Sequence, residues 1–219
     1  MIIDKGISQL DTMYPTFSCM LEPGDQLNYP ADPRFGSIYG YSYGKNAIKI
    51  GEKIHFLEAG QYFSLWAGEH IPEYNMESKL LLIVRLGYKC QNNIGWIESQ
   101  GRLSYIDGCT DSLLIYPPRM GDPSLNLLYF PTGIEQTRHL HPSIRVGCVV
   151  AGEGWSDVWE NGEVTSNKLE VGMHFCLNEN ELHRFRTEGS SMTVIAWHPD
   201  GDWGPTDHNH TMLNRTYTR

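Results

Sequence analysis

GIEQTRHLHPSIRVGCVVAG, residues 133–152, holds two histidines one residue apart, a glycine at each end, and an arginine four positions past the second histidine. Its second half, RVGCVVA, is short, apolar and β-branched, and reads as a strand. On a strand, residues i and i+2 face the same side, so His139 and His141 would project into one space, about 7 Å apart along the backbone. The same parity carries residue 145, which would set the Arg145 guanidinium in that space too. Neutral imidazole is the commonest transition-metal ligand among side chains. Two imidazoles on one face can converge on a cation if a third ligand closes the set.

Working outward, the chain reads as mostly β. Short pieces rich in aromatic and β-branched residues recur: SIYGYSY (37–43), KIHFLEA (53–59), LLLIVRL (80–86), SLLIYP (112–117), NLLYFP (126–131), RVGCVVA (145–151) and SMTVIAW (191–197). Gly, Asn, Asp and Pro cluster between them, as in a sandwich or barrel. Residues 72–80, PEYNMESKL, are the one window expected to give a short turn of helix.

An internal echo divides the chain. LEAGQYFSL (57–65) and LEVGMHFCL (169–177) share Leu, Glu, Gly, Phe and Leu at an offset of 112. At that offset Gly40 falls on Gly152, and LLIV (81–84) falls on TVIA (193–196). The expectation is two copies of one β unit, residues 1–112 and 113–219, with DGCT (107–110) and PPRMGDP (117–123) at the joint. The two histidines have Leu27 and Tyr29 as counterparts, so the second copy is the candidate working half and the first a degenerate partner.

Composition narrows the function classes. The 219 residues carry 17 basic and 26 acidic side chains, a net charge of −9. An acidic chain without a basic stripe is a poor partner for a phosphate backbone, so no nucleic acid is expected. The N-terminal MIIDKGISQLDTMYP lacks a basic and then apolar signal pattern. No apolar run approaches the roughly 18 residues needed to cross a membrane. Five scattered cysteines without a CxxC pair suit reduced thiols, and a cytoplasmic setting is expected.

The spacing from Gly133 is five residues, His139-x-His141, three residues, Arg145, six residues, Gly152. Further on comes Gly172, five residues, Asn178-x-Asn180, two residues, His183. These two runs resemble the signature motifs of the cupin superfamily, G-x5-H-x-H-x3,4-E-x6-G and G-x5-P-x-G-x2-H-x3-N. The departures are Arg145 for Glu, Asn178 and Asn180 for Pro and Gly, and Thr187 for the final Asn. Asn tolerates the left-handed backbone that glycine would supply in that turn. The resemblance implies an all-β chain of two tandem antiparallel barrels (double-stranded β-helix, jelly-roll), the first without metal ligands and the second with ligands pointing into its bore.

A guanidinium has no lone pair to offer a cation and stays protonated in proteins. The resemblance therefore implies a three-histidine site of His139, His141 and His183, as in superfamily members such as the thiol dioxygenases. Fe(II) is the expected ion; Mn, Ni, Zn and Cu also suit imidazole. Arg145 would either clamp a substrate carboxylate through its bidentate fork or pair with a buried acid such as Glu135, Asp157 or Glu170. Tyr129, Trp155, Trp159, Phe175 and Trp197 are candidates to line the bore or to be plain core. His174 and Cys176 lie near the second motif, and Arg184 and Arg186 should face away from the metal. In the tail, His198, His208 and His210 with Asp200, Asp202 and Asp207 read either as a covering loop or as a second metal site.

Three functions remain open at this point: a non-haem iron dioxygenase acting on a small anionic organic substrate, a metal-dependent isomerase or lyase, and a non-catalytic bicupin that binds a small molecule or serves as a scaffold. Cupins often pair through barrel edges, so a homodimer is expected unless the two barrels of one chain close that interface between themselves.

Overall fold

A computed structural model describes residues 7–9, 14–25, 27, 36–119 and 121–200. The described residues form β-strands joined by turns, with one 3-10 turn at Ile106–Gly108, so the all-β jelly-roll expectation holds. In the first half, β1 (Ile7–Gln9), β2 (Thr16–Leu21), β3 (Ser37–Ser42), β6 (Gln61–Trp66), β8 (Leu80–Arg85) and β9 (Asn93–Trp96) make one sheet in the order β1-β2-β8-β3-β6-β9. A second sheet, β5-β4-β7, is built from β4 (Asn46–Ile50), β5 (Lys53–Leu57) and β7 (Glu73–Met76).

The second half repeats this plan. Its strands are β10 (Leu103–Ser104), β11 (Thr110–Ile115), β12 (Ser124–Phe130), β13 (Arg145–Glu160), β14 (Glu163–Glu170), β15 (His174–Leu177), β16 (Leu182–Arg186) and β17 (Met192–His198). Here the counterparts of β3 and β4 are fused into the single 16-residue β13. Its beginning pairs with β15 and β17, and its end pairs with β14 and β16. The strand changes sheets at a register shift between Val149 and Ala151, next to Gly152 with φ +69°. A bulge of this kind bends a strand around a barrel corner. No ladder among the described residues joins a strand up to Trp96 to one from Leu103 onward.

Residues 72–80 give no helix. Glu73–Met76 forms β7 against β4, and Tyr74 and Met76 pack on the first-half core from alternate positions. Side chains with a period of two are served by a strand and not by a helical turn.

The two halves share an order of strand pairing, but not at one sequence offset. Gly40 pairs with Phe63, whereas Phe175 pairs with Gly147, not with the expected Gly152. A Cβ on Gly40 would meet the Leu81 carbonyl oxygen at 1.9 Å and the Phe63 ring at 2.8 Å; on Gly147 it would meet the Ile195 oxygen at 2.0 Å and the Phe175 ring at 2.7 Å. Leu81 thus corresponds to Ile195 and not to Thr193. Phe175 follows Gly147 by five residues more than Phe63 follows Gly40, and β14, with eight residues where β5 has five, supplies three of them. Gly147→Ala should be severe: the added carbon overlaps backbone that cannot rotate away. A loss of about 3 kcal/mol corresponds to a Tm drop of roughly 6–12 °C for a chain of this size. Gly189→Ala, where a Cβ meets nothing within 4 Å, should shift Tm by less than about 2 °C.

Three apolar clusters fill the molecule. Leu80, Leu82 and Val84 of β8 point into the first-half bore with Phe17, Ile38 and Phe63, while Leu81 and Ile83 point the other way. That second direction leads between the halves, where Tyr39 and Tyr41 meet Val146, Cys148, Ile195 and Trp197. Burial on both faces explains why LLLIV is continuously apolar. The third cluster, including Phe130, Phe175, Phe185 and Val194, walls the second bore. No helix among the described residues is long and apolar enough to cross a membrane, and all five cysteines are free.

Candidate metal centre

The segment carrying His139 and His141 is not a regular strand. It runs beside β16 through a few bonds: Thr187 N–H to the Ile134 oxygen (2.8 Å), Gln136 N–H to Phe185 (3.0 Å), and a reciprocal pair between His139 and His183 (3.0 and 2.9 Å). The bridges Glu135↔Arg186 and His139↔His183 enclose four steps on one side and three on the other, which is a bulge. Pro142 then offers no N–H, and β13 begins only at Arg145. The expected strand parity from 139 to 145 is therefore corrected, although the side chains it concerned do gather at one site.

One ring nitrogen from each of His139, His141 and His183 lies within 4.8 Å of the other two. Ring centroids are 4.5 Å apart for His139 and His183, and 5.1 Å for each of the other two pairs. His139 and His183 turn Nδ1 to a backbone carbonyl two residues back, Thr137 at 2.9 Å and Glu181 at 2.8 Å. Such a bond puts the proton on Nδ1 and frees the Nε2 lone pair. His183 is 1% exposed, and its Nε2 is buried with no hydrogen-bond partner among the described residues. Burial, with Arg145 and the neighbouring imidazoles adding to it, holds the His141 pKa down to about 3. Burial is also the main cause for His183, held down to about 4. Two imidazoles kept neutral by burial with a third ring beside them can offer lone pairs to a divalent cation, so the residues present fit such an ion.

The motif turns position these rings. Asn180 adopts φ +58°, the left-handed conformation expected of it, and Gly133, Gly152 and Gly172 also have positive φ. The Glu181 carboxylate accepts the Asn178 N–H at 2.8 Å and closes the turn. Thr187 accepts the Ile134 N–H at 3.1 Å and bonds the Pro131 oxygen, tying the start of the histidine segment to the end of β16.

A cavity of about 300 Å³ lies against the cluster, lined by His139, His141, Arg145 and His198 together with apolar Leu128, Phe130, Phe175 and Val194. Arg145 Nη1 donates to the Ser143 hydroxyl (2.7 Å) and to the Ser143 and Ile144 carbonyls (3.1 Å each). The acids expected as its partners are engaged elsewhere. Glu135 pairs with Arg184, Asp157 with Arg184 (2.9 Å) and Arg186 (3.2 Å), and Glu170 with Lys168 (2.6 Å). Arg184 and Arg186 stack on Trp159 and Trp155, so neither tryptophan lines the bore. Trp197 packs between the halves, Tyr129 does not reach the cavity, and of the five aromatic candidates only Phe175 does. His174 is buried at the interface, its Nε2 3.0 Å from the Ser18 hydroxyl of the first half, and Cys176 lies there too.

Sequence reasoning passed over Tyr105, Asp111, Asn126 and Gln136, all of which line the cavity. Asp111 and Asn126 lie in TDSLLI and SLNLLYF, where alternation marks one face as inward but not which polar residue meets the site. His198, expected with the tail, belongs to this cavity and bonds Ser124 and the Asp200 carbonyl. His208, His210, Asp202 and Asp207 lie outside the described residues.

In the first half Tyr74 takes the place of His183: it pairs with Ile48 two residues before the hairpin, as His183 pairs with Val158. Leu27 and Tyr74 pack on a bore filled with apolar side chains; Tyr29 lies outside the described residues.

No protein-family model and no curated protein matches this chain. Solved structures do. A cupin 2 conserved barrel domain protein from Leptotrichia buccalis superposes with a TM-score of 0.60 at 16% identity, over 89% of this chain and 88% of that one. Protein Ylba from E. coli gives 0.63 at 15% identity, over 92% and 83%. Bacillus subtilis oxalate decarboxylase, described with Mn(II) centers, gives 0.53 at 11% identity, over 93% and 79%. At such identities the likeness establishes the cupin fold.

Proposed function

We propose that the second barrel, expected over residues 113–219 and extended back to Leu103 by the pairing of β10 and β11 with β12, is the working half of a bicupin whose first half, expected over residues 1–112, is degenerate, and that His139, His141 and His183 hold a divalent ion, Fe(II) before Mn, Ni, Zn or Cu. The enzyme is then a non-haem iron dioxygenase acting on a small anionic organic substrate. The buried Nε2 of His183, without a hydrogen-bond partner among the described residues, in a cluster of three imidazoles whose ligand nitrogens lie within 4.8 Å of one another, carries this reading, since a buried polar atom without a partner costs about 1–3 kcal/mol unless something fills the role. The bound ion would supply open positions for substrate and oxygen and a site for electron transfer. Arg145 orients the substrate by its carboxylate, and the apolar walls exclude water.

A second reading, a metal-dependent isomerase or lyase, is favoured by Asp111. Burial raises the pKa of this carboxyl, with Asn126 acting against it, and a carboxyl tuned upward is suited to proton transfer. The Mn(II) oxalate decarboxylase fold relative is compatible with it.

Metal analysis of the purified chain, followed by oxygen uptake with the Fe(II)-loaded protein and a panel of thiol-, keto- and aromatic acids, tests both. Uptake supports the dioxygenase, metal-dependent turnover without uptake the isomerase or lyase, and a chain that takes up no metal the scaffold. Arg145→Gln should raise KM about 10- to 100-fold with kcat nearly unchanged, because a charge-assisted bond contributes about 1.5–3 kcal/mol to substrate binding. An unchanged KM would remove Arg145 from the site. A cytoplasmic chain with no nucleic-acid or membrane partner, and a homodimer, belong to the same proposal.

A further inference from the structure

Asp111 on β11 and Asn126 on β12 both line the cavity. Asn126 Nδ2 donates to both Asp111 oxygens, at 3.0 and 2.9 Å. Only the NH₂ end of an amide can donate to a carboxylate, which turns the Asn126 carbonyl oxygen away from Asp111. That oxygen is buried and has no hydrogen-bond partner among the described residues. Arg145 reaches the same space from β13, beyond β17 in the sheet. Two strand spacings, about 10 Å at the backbone, separate the Asn126 strand from the Arg145 strand, and the ring of Phe175 and the side chains of Leu128 and Val194 complete the wall. The Tyr105 hydroxyl is raised by burial first and then by Asp111, with Arg145 acting against it, so one cavity residue senses both groups.

Resting on the reading of Arg145 as a carboxylate clamp, we infer that the Asp111–Asn126 pair selects a substrate with a hydrogen-bond donor, a hydroxyl or a primary amine, several bonds from its carboxylate. The donor's hydrogen goes to the Asn126 oxygen, with the Asp111 carboxylate as the neighbouring acceptor. An acid lacking that donor leaves the Asn126 oxygen buried and unmatched, the kind of mismatch by which sites built for a hydrogen bond reject close analogues. The apolar wall holds the segment between the two ends.

The test is calorimetric titration of the full metal-loaded chain with two matched pairs: 4-hydroxyphenylacetate against phenylacetate, and 6-aminohexanoate against hexanoate. The donor-bearing member of at least one pair should bind 10-fold or more tightly. Asn126→Leu should bring the ratio close to one, and Asp111→Asn should reduce it most for the amine pair. If Asn126→Leu does not fold, the ratio in the unaltered protein decides alone. The ratio should persist in metal-stripped protein, because neither residue belongs to the histidine cluster. A chain that loads metal yet binds both members of each pair equally, or binds none of the four acids, overturns the inference and leaves the metal reading intact. A chain that takes up no metal but keeps the ratio does the reverse.

Discussion

His183→Leu is expected to weaken divalent-metal binding by more than about 100-fold, or about 2.7 kcal/mol, while leaving the metal-free protein as stable as before or slightly more so. Two opposed terms set the stability. The substitution removes the Nδ1–H bond to the Glu181 carbonyl, worth about 1 kcal/mol net. It also removes the buried Nε2 that no group among the described residues satisfies, relieving about 1–3 kcal/mol of desolvation. A histidine kept for structure would show the opposite pattern, with stability lost and metal binding unmoved. Isothermal titration with Fe(II) under anaerobic conditions, paired with thermal melts of the stripped protein, separates the two.

The same rings give the metal-free protein a pH dependence of known sign. His141 is held down to about 3 and His183 to about 4 in the folded state, burial being the first cause of each, against about 6.5 for an unfolded imidazole. The unfolded chain therefore binds protons that the folded chain refuses. Stability from these groups is complete above pH of about 6.5 and is lost as pH falls from there toward 4. His183→Leu should flatten part of that decline. A curve level from pH 7 to pH 4.5 would show that the rings are not buried as neutral groups.

Trp197→Ala should produce the largest loss of stability, about 3–5 kcal/mol, or a Tm drop of roughly 6–20 °C. The side chain is fully buried on β17 and packs with Tyr39 of the first half at a centroid distance of 5.7 Å, with the Arg85 guanidinium also 5.7 Å from its ring. It thus sits in the cluster that joins the two halves. Its loss should also broaden the melting transition, since the halves would no longer unfold as one unit. Trp197→Phe should cost far less, because the indole N–H is buried without an acceptor among the described residues. Scanning calorimetry of the two variants checks both; equal losses would mean that the indole N–H matters more than ring volume.

What was legible in the sequence is uneven, and particular residues show why. LLLIV was readable as a buried strand because continuous apolar character has few other uses, and the strand is indeed covered on both sides. Asn180 was readable as a left-handed turn residue because its side chain makes that backbone tolerable. A constant offset matches Gly40 to the wrong glycine, since it cannot register a longer β13–β14 hairpin. PEYNMESKL reads as a helical turn because four residues are too few to establish a period of two against a local propensity. Strand parity puts Arg145 in the bore, although Pro142 and the preceding bulge interrupt that parity.

Side-chain periodicity along one chain was enough for the β class, and motif spacing was enough to single out His139, His141 and His183, because both are local to the sequence. It took the folded chain to bring Asp111, Asn126 and His198 into the histidine cavity, to put Tyr74 in the equivalent place among the apolar side chains of the first half, and to set Trp197 between the halves. Those relations join residues on strands far apart in the chain, and their pairing is set by packing and hydrogen-bond register across the sheet, which no local pattern encodes.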